Sequence, residues 1–165
     1  MKIDISTSNP LKLTTPALVI GCFEDTKDDM FDNCDAALDG CLERLIASKE
    51  FRGKTNNTHL IHTLGKLHSE RLLLVGLGKK VELDDERLRQ AAGKAVQALR
   101  GARIAMFATA LHLAGSVETA IEAVTTGTLL GSYTFNQYKT KDKDELFNFE
   151  GMTLLLAKGT NTKDS

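Results

Sequence analysis

Residues of the types that grip phosphate, hold metals or attack carbonyls are all present, so their spacing decides which chemistry is available. The stretch RLLLVGLGKK, residues 71–80, runs four apolar residues into a turn built on Gly76 and Gly78 and leaves through Lys79 and Lys80. Glycines let backbone N–H groups approach an anion closely, and lysines supply charge. A dinucleotide fingerprint requires a third glycine at position 81, where Val81 stands. A nucleotide-triphosphate loop requires a glycine five positions before Gly-Lys-Ser/Thr, and the only such triplet, Gly53-Lys54-Thr55, has Ser48 at that place. Both regular motifs fail, so the loop reads as a strand that ends in a turn.

Metal and nucleophile chemistry meet the same obstacle. Of the four histidines, His59, His62, His68 and His112, the first two would point to opposite faces of a strand, because their spacing is odd in a period of two. No histidine pair stands at helical i, i+4 spacing around a glutamate. Cys22, Cys34 and Cys41 match neither a disulfide framework nor a zinc knuckle and are expected to be reduced, Cys22 at a strand end and the other two on a helix. Ser132 directly follows Gly131, with Leu130 before it, so there is no Gly-x-Ser-x-Gly elbow; Ser132, Thr125 and Thr126 read as helix-end residues. The acidic pairs Asp28-Asp29 and Asp84-Asp85 have the positions of capping and solvating groups. No catalytic, cofactor-binding or metal-binding residue is therefore assigned.

The 165 residues make one ordinary domain, long enough to bury a core without disulfides or metals. Apolar residues form 42% of the chain, and 21 basic residues nearly cancel 22 acidic ones. A net charge of −1 gives no general attraction to nucleic acid or to anionic membranes. No run approaches the roughly 18 apolar residues of a membrane span, and MKIDISTSNPLK lacks the apolar core of a secretory signal. A cytoplasmic location is the expectation.

The elements that must position these residues follow from hydrophobic periodicity. KIDIS (2–6) and PALVIGCF (16–23) read as strands. From about Asn33, with Asp32 or Asn33 as cap, the residues Ala37, Leu38, Cys41, Leu42 and Leu45 form one helical stripe. A strand over 58–64, a turn at Gly65-Lys66 and a strong strand over 71–76 come next. Asp84 or Asp85 caps a helix whose stripe is Leu88, Ala91, Ala92, Ala95 and Leu99. ARIAMFA (102–108) is a strand, Ser116 a cap, and Val117, Ala120, Ile121, Val124 and Leu130 a third helical stripe. GMTLLLA (151–157) is the last strand. KTKDKDEL (139–146) is mixed in charge and reads as a solvated loop. This order predicts an α/β fold of three layers, a mixed, largely parallel sheet with helices on both faces and some antiparallel pairing near the first strands. The domain is placed at 1–158, with 159–165 the start of a linker.

One stretch narrows the reading. EAVTTGTLLGSYTFNQYKTK, 122–141, combines Gly127 and Gly131 with the aromatics of YTF and with Tyr138-Lys139 after a helix. It resembles the segment that closes the N-terminal domain of leucyl aminopeptidases, the hexameric cytosolic metallopeptidases. FRGKTNNTHLIHTLGKLHSERLLLVGLGKK, 51–80, is similar to that family's glycine-lysine segment and Val-Gly-Leu-Gly strand end, and LDDERLRQAAGKAVQAL, 83–99, to the helix that follows. The three are collinear.

The resemblance implies a noncatalytic, macro-domain-like domain in which Gly76 and Gly78 serve backbone geometry. It implies a larger C-terminal domain, carrying the Asn-Thr-Asp-x-Glu-Gly-Arg signature and two divalent metals, zinc or manganese; that signature is not in these residues. The implied roles are packing within a homo-hexamer beside its own catalytic domain and shaping access to the active sites. In some bacterial relatives this domain takes part in DNA binding, to which Lys79, Lys80, Lys139, Lys141 and Lys143 would contribute. The alternative is a free-standing macro-like module holding a nucleotide such as ADP-ribose at the sheet's C-terminal edge.

Overall fold

The computed structural model describes residues 1–115, 117–133 and 148–156. Strands β1 (Lys2–Ser6) and β2 (Thr15–Phe23) precede helices α1 (Asp29–Ala37) and α2 (Cys41–Ala47). Strands β3 (Thr58–His62) and β4 (Ser69–Gly78) lead to α3 (Asp85–Gly101). Then come β5 (Met106–Thr109), a 3₁₀ turn (Leu111–Ala114), α4 (Val117–Tyr133) and β6 (Gly151–Leu155). The six strands form one sheet in the order β1-β6-β5-β2-β4-β3. Every neighbouring pair is parallel except β3 with β4. No helix among the described residues is long and apolar enough to cross a membrane.

The two central strands are apolar throughout because both of their faces are covered. In the β2–β4 register, Leu18 meets Leu72 and Ile20 meets Leu74; these face the layer of Phe31, Cys34, Leu38 and Leu42 from α1, α2 and the link between them. Val19 beside Leu73 faces the opposite way, toward Leu88, Ala92, Val96 and Leu99 of α3 and Ala120 and Val124 of α4. The mixed three-layer sandwich expected from the element order is the one observed.

Several boundaries differ from expectation, each for a local reason. The first helical stripe spans two helices. Asp28 caps α1, its side chain accepting from the Phe31 N–H at 2.8 Å, and left-handed conformations at Asp39 (φ 56°) and Gly40 (φ 81°) break the chain before α2. The apolar spacing continues across the break because both helices cover the same face. Strand β3 stops at His62, short of 64, because Leu64 (φ 54°) and Gly65 (φ 82°) make the turn. Strand β5 begins at Met106 because Ala102 still caps α3 and Arg103 has φ 57°. Antiparallel pairing is confined to β3 with β4; β1 sits at the far edge, parallel to β6. Leu130 is 56% exposed and does not belong to the α4 stripe. It lies six residues beyond Val124, which turns it well away from that face. The Ser116 cap, the 139–146 loop and the 159–165 linker lie outside the described residues.

Helices α3 and α4 meet through glycine. A Cβ on Gly127 would lie 2.1 Å from the Arg89 carbonyl oxygen, and one on Gly131 would lie 3.2 Å from the Gly93 Cα. The backbones approach as closely as they do because no side chain stands between them. Gly127→Ala is therefore expected to lower stability by about 3 kcal/mol, at the upper end of ordinary overpacking costs. Gly101→Ala, where the added methyl meets nothing within 4 Å, should raise stability by about 0.5 kcal/mol. Urea unfolding of the two variants checks both, and equal effects would contradict this packing.

Candidate functional site

The C-terminal ends of β2, β4 and β5 carry the loops that could do chemistry, as parallel sheets generally arrange. At the end of β4, residues 53–57 lie across the glycine turn as a strap. The Gly78 N–H donates to the Gly53 carbonyl at 2.9 Å and the Gly76 N–H to the Asn57 carbonyl at 2.7 Å. The Gly76 carbonyl accepts from the Asn56 N–H at 3.0 Å, and the Gly78 carbonyl from the Glu24 N–H at 2.8 Å. A Cβ on Gly76 would sit 1.9 Å from the Lys54 carbonyl oxygen. Gly76 is therefore required by its own chain, and the amides that might have met a phosphate already have protein partners. The Gly53-Lys54-Thr55 triplet belongs to the same strap: Gly53 has φ 76°, and the Thr55 hydroxyl accepts from Arg87 Nη1 at 3.3 Å. Arg87 also reaches the Leu77 carbonyl and Glu82. Lys79 and Lys80 are exposed, the Lys80 backbone N–H donating to Asp25 Oδ1 at 3.1 Å. Lys139, Lys141 and Lys143 lie outside the described residues.

Beside the strap, the end of β2 opens a cleft of about 320 Å³ lined by Phe23, Glu24, Asp25, Thr26, Lys27, Phe31, Ile46 and Arg52. Lys27 pairs with Glu43, and its ammonium lies 5.7 Å from the centre of the Phe31 ring. Arg52 pairs with no carboxylate among the described residues.

The other residues singled out in the sequence are dispersed. His59 packs toward Phe51, ring centres 6.4 Å apart, on the face shared with Leu74; His62 pairs in register with Arg71 on the other face. His68 is exposed. Among the described residues, no group of three or more His, Cys, Asp or Glu is placed to hold a metal. Cys22 and Cys34 are buried free thiols and Cys41 is half-buried, on β2, α1 and α2 respectively. Burial, reinforced by Asp28, pushes the Cys34 thiol up to about 12 and Cys22 further in the same direction. Asp84 caps α3 through the Arg87 N–H at 2.8 Å. Thr126 lies within α4, and the Ser132 hydroxyl donates to the Leu129 carbonyl at 2.8 Å.

A description of the cytosol aminopeptidase family's N-terminal domain matches residues 19–142. The chain belongs to the cytosol aminopeptidase family. It is 61% identical over 155 residues to a probable cytosol aminopeptidase of Geobacter sp. strain M21, covering 94% of this chain and 32% of that protein. The chain thus spans about a third of the length of the curated relatives it matches. A tomato leucine aminopeptidase variant superposes with TM-score 0.77 at 19% identity, over 99% of this chain and 34% of the other. The macrodomain of Mycobacterium tuberculosis DarG superposes with TM-score 0.67 at 13% identity, over 94% and 98% of the two chains, a likeness of fold alone.

Within this aminopeptidase domain, the segment 122–133 is a packing element: Gly127 and Gly131 admit α3, and α4 ends on Arg100. The Arg100 guanidinium donates to the Gly131 carbonyl (3.4 Å) and the Ser132 carbonyl (3.1 Å) and stands 5.4 Å from the Phe149 ring. A cation at carbonyls of a helix C-terminus is favourable with the helix dipole. Sequence reasoning missed Arg100, although it lies four residues after Val96 on the apolar side of α3. It also missed His112, embedded in the apolar run ALHLA, whose Nε2–H donates to the Leu155 carbonyl at 2.7 Å while the buried Nδ1 has no partner.

That tautomer suits a neutral ring, since protonation would place a second N–H where nothing accepts it. Burial accordingly pushes the His112 pKa below its ordinary value, with the Leu155 hydrogen bond opposing in part. In the unfolded chain His112 takes up a proton near pH 6.5, before the folded protein does, so stability is full above that pH and falls as pH drops below it. Urea unfolding between pH 7.5 and 5.5 should show this fall, and His112→Gln should reduce its slope. Titration of the native protein with a thiol reagent should modify Cys41 within minutes while Cys22 and Cys34 wait for unfolding; three equally fast thiols would contradict their burial.

Proposed function

We propose that the chain is the noncatalytic N-terminal domain of a cytoplasmic leucyl aminopeptidase, helping to assemble a homo-hexamer and shaping access to its active sites. The match to the family's N-terminal domain across residues 19–142 carries this reading. The described residues support a scaffolding role: the glycine turn is held by its own strap, Cys22, Cys34 and Cys41 pack into one apolar layer as buried or half-buried thiols, and the four histidines lie apart from one another. In the parent enzyme, two divalent metals held by the remaining two thirds of the chain would activate water and polarise the scissile carbonyl. None of the described residues fits such a centre, so no catalytic step is assigned to them.

Two measurements test the proposal. The purified 165-residue chain, given leucine p-nitroanilide with manganese or zinc, is expected to show no turnover above the metal-only control. Deletion of this domain from the whole enzyme is expected to lower the mass seen by light scattering from a hexamer to smaller species. Metal-dependent turnover by the chain alone would overturn the noncatalytic assignment, and an intact hexamer after deletion would remove the assembly role.

A further inference from the structure

The cleft at the end of β2 belongs to none of the roles described above. It holds two carboxylates, Glu24 and Asp25, and two cations, Lys27 and Arg52, over an apolar floor from Phe23, Phe31 and Ile46. Opposite charges facing one small cleft ordinarily pair with one another. Here they do not: Arg52 reaches neither Glu24 nor Asp25, and Lys27 is engaged by Glu43 outside the lining set. Asp25 is oriented through one oxygen by the Lys80 N–H, which leaves the other open. The side chains of Glu24 and Arg52 are exposed and without a partner among the described residues.

From this unpaired arrangement we propose that the cleft binds the zwitterion of a free apolar α-amino acid. Its carboxylate meets the Arg52 fork, its ammonium meets Glu24 and the open oxygen of Asp25, and its side chain rests on Phe23, Phe31 and Ile46. A guanidinium matches a carboxylate bidentately. Carboxylates disfavour a simple anion such as phosphate in this cleft, and the unpaired Arg52 disfavours a simple cation, so the mixed lining selects a ligand carrying both charges. The volume of about 320 Å³ lies at the small end of ordinary ligand pockets, about 300–1,000 Å³. The end of a parallel strand is where open α/β sheets place small ligands. The choice of a leucine-like amino acid rests on the proposed function, because that is the product such an enzyme releases.

The experiment is an amide-resolved NMR titration of the 165-residue chain with L-leucine, L-leucinamide and N-acetyl-L-leucine. Leucine is expected to give saturable shifts at residues 24–31, 46 and 52. The amide lacks the carboxylate and the acetyl derivative lacks the ammonium, and each should bind about tenfold more weakly or worse. Arg52→Ala and Glu24→Gln, both on exposed side chains, should weaken leucine by a similar factor while leaving the rest of the spectrum unchanged. Absence of saturable shifts, equal binding of either blocked analogue, or unchanged affinity in both variants would overturn the proposal. Each of these failures would leave the aminopeptidase reading untouched, since that reading is tested by turnover and assembly.

Discussion

Burial of β2 on both faces is the constraint from which the rest of the molecule follows. Leu18 and Ile20 point to one side and Ala17 and Val19 to the other, all without solvent exposure. A strand of that kind needs a hydrogen-bonded neighbour on each edge and an apolar layer on each face. Strands β4 and β5 supply the edges, α1 with α2 one cover, and α3 with α4 the other. The small residues of α3 and the glycines of α4 are consequences, because two helices have to crowd together to close one of the covers.

What could be read from the sequence divides along the range of the interactions concerned. Helix α3 was legible because its stripe from Leu88 to Leu99 and its Asp84 cap are local features. The break at Asp39 and Gly40 was not, since the apolar spacing runs through it and only the backbone turns. The meaning of Gly76 and Gly78 was half legible: the spacing excluded a phosphate motif, whereas the strap that engages them comes from residues 53–57 and bonds through main-chain atoms, which leave no side-chain signature. The cleft was not legible at all. Asp25 and Arg52 come to line one cleft through the path of β2 and the loop before β3, and neither residue stands in a motif.

The aminopeptidase domain therefore shares a macrodomain-like architecture, while its strap closes one part of the C-terminal edge of the sheet. The strap and the glycine turn satisfy each other, so the amides of Gly76 and Gly78 at the end of β4 are engaged within the chain. The polarity left over gathers instead at the end of β2, a few residues away, in side chains that face one another without pairing. Main-chain pairing and side-chain charge are thus separated along a single sheet edge.

The pairing of β1 with β6, Lys2 beside Gly151 and Ser6 beside Leu155, also bears on how the protein is made. The first strand of the described residues has as its partner the last one. At synthesis rates of about 5–20 residues per second, β1 waits roughly 8–30 s before that partner exists. Throughout that interval β1 lacks its hydrogen-bonded neighbour, and because Ile3 and Ile5 stay 38% and 53% exposed even in the folded sheet, what β6 brings to the strand is main-chain pairing more than burial.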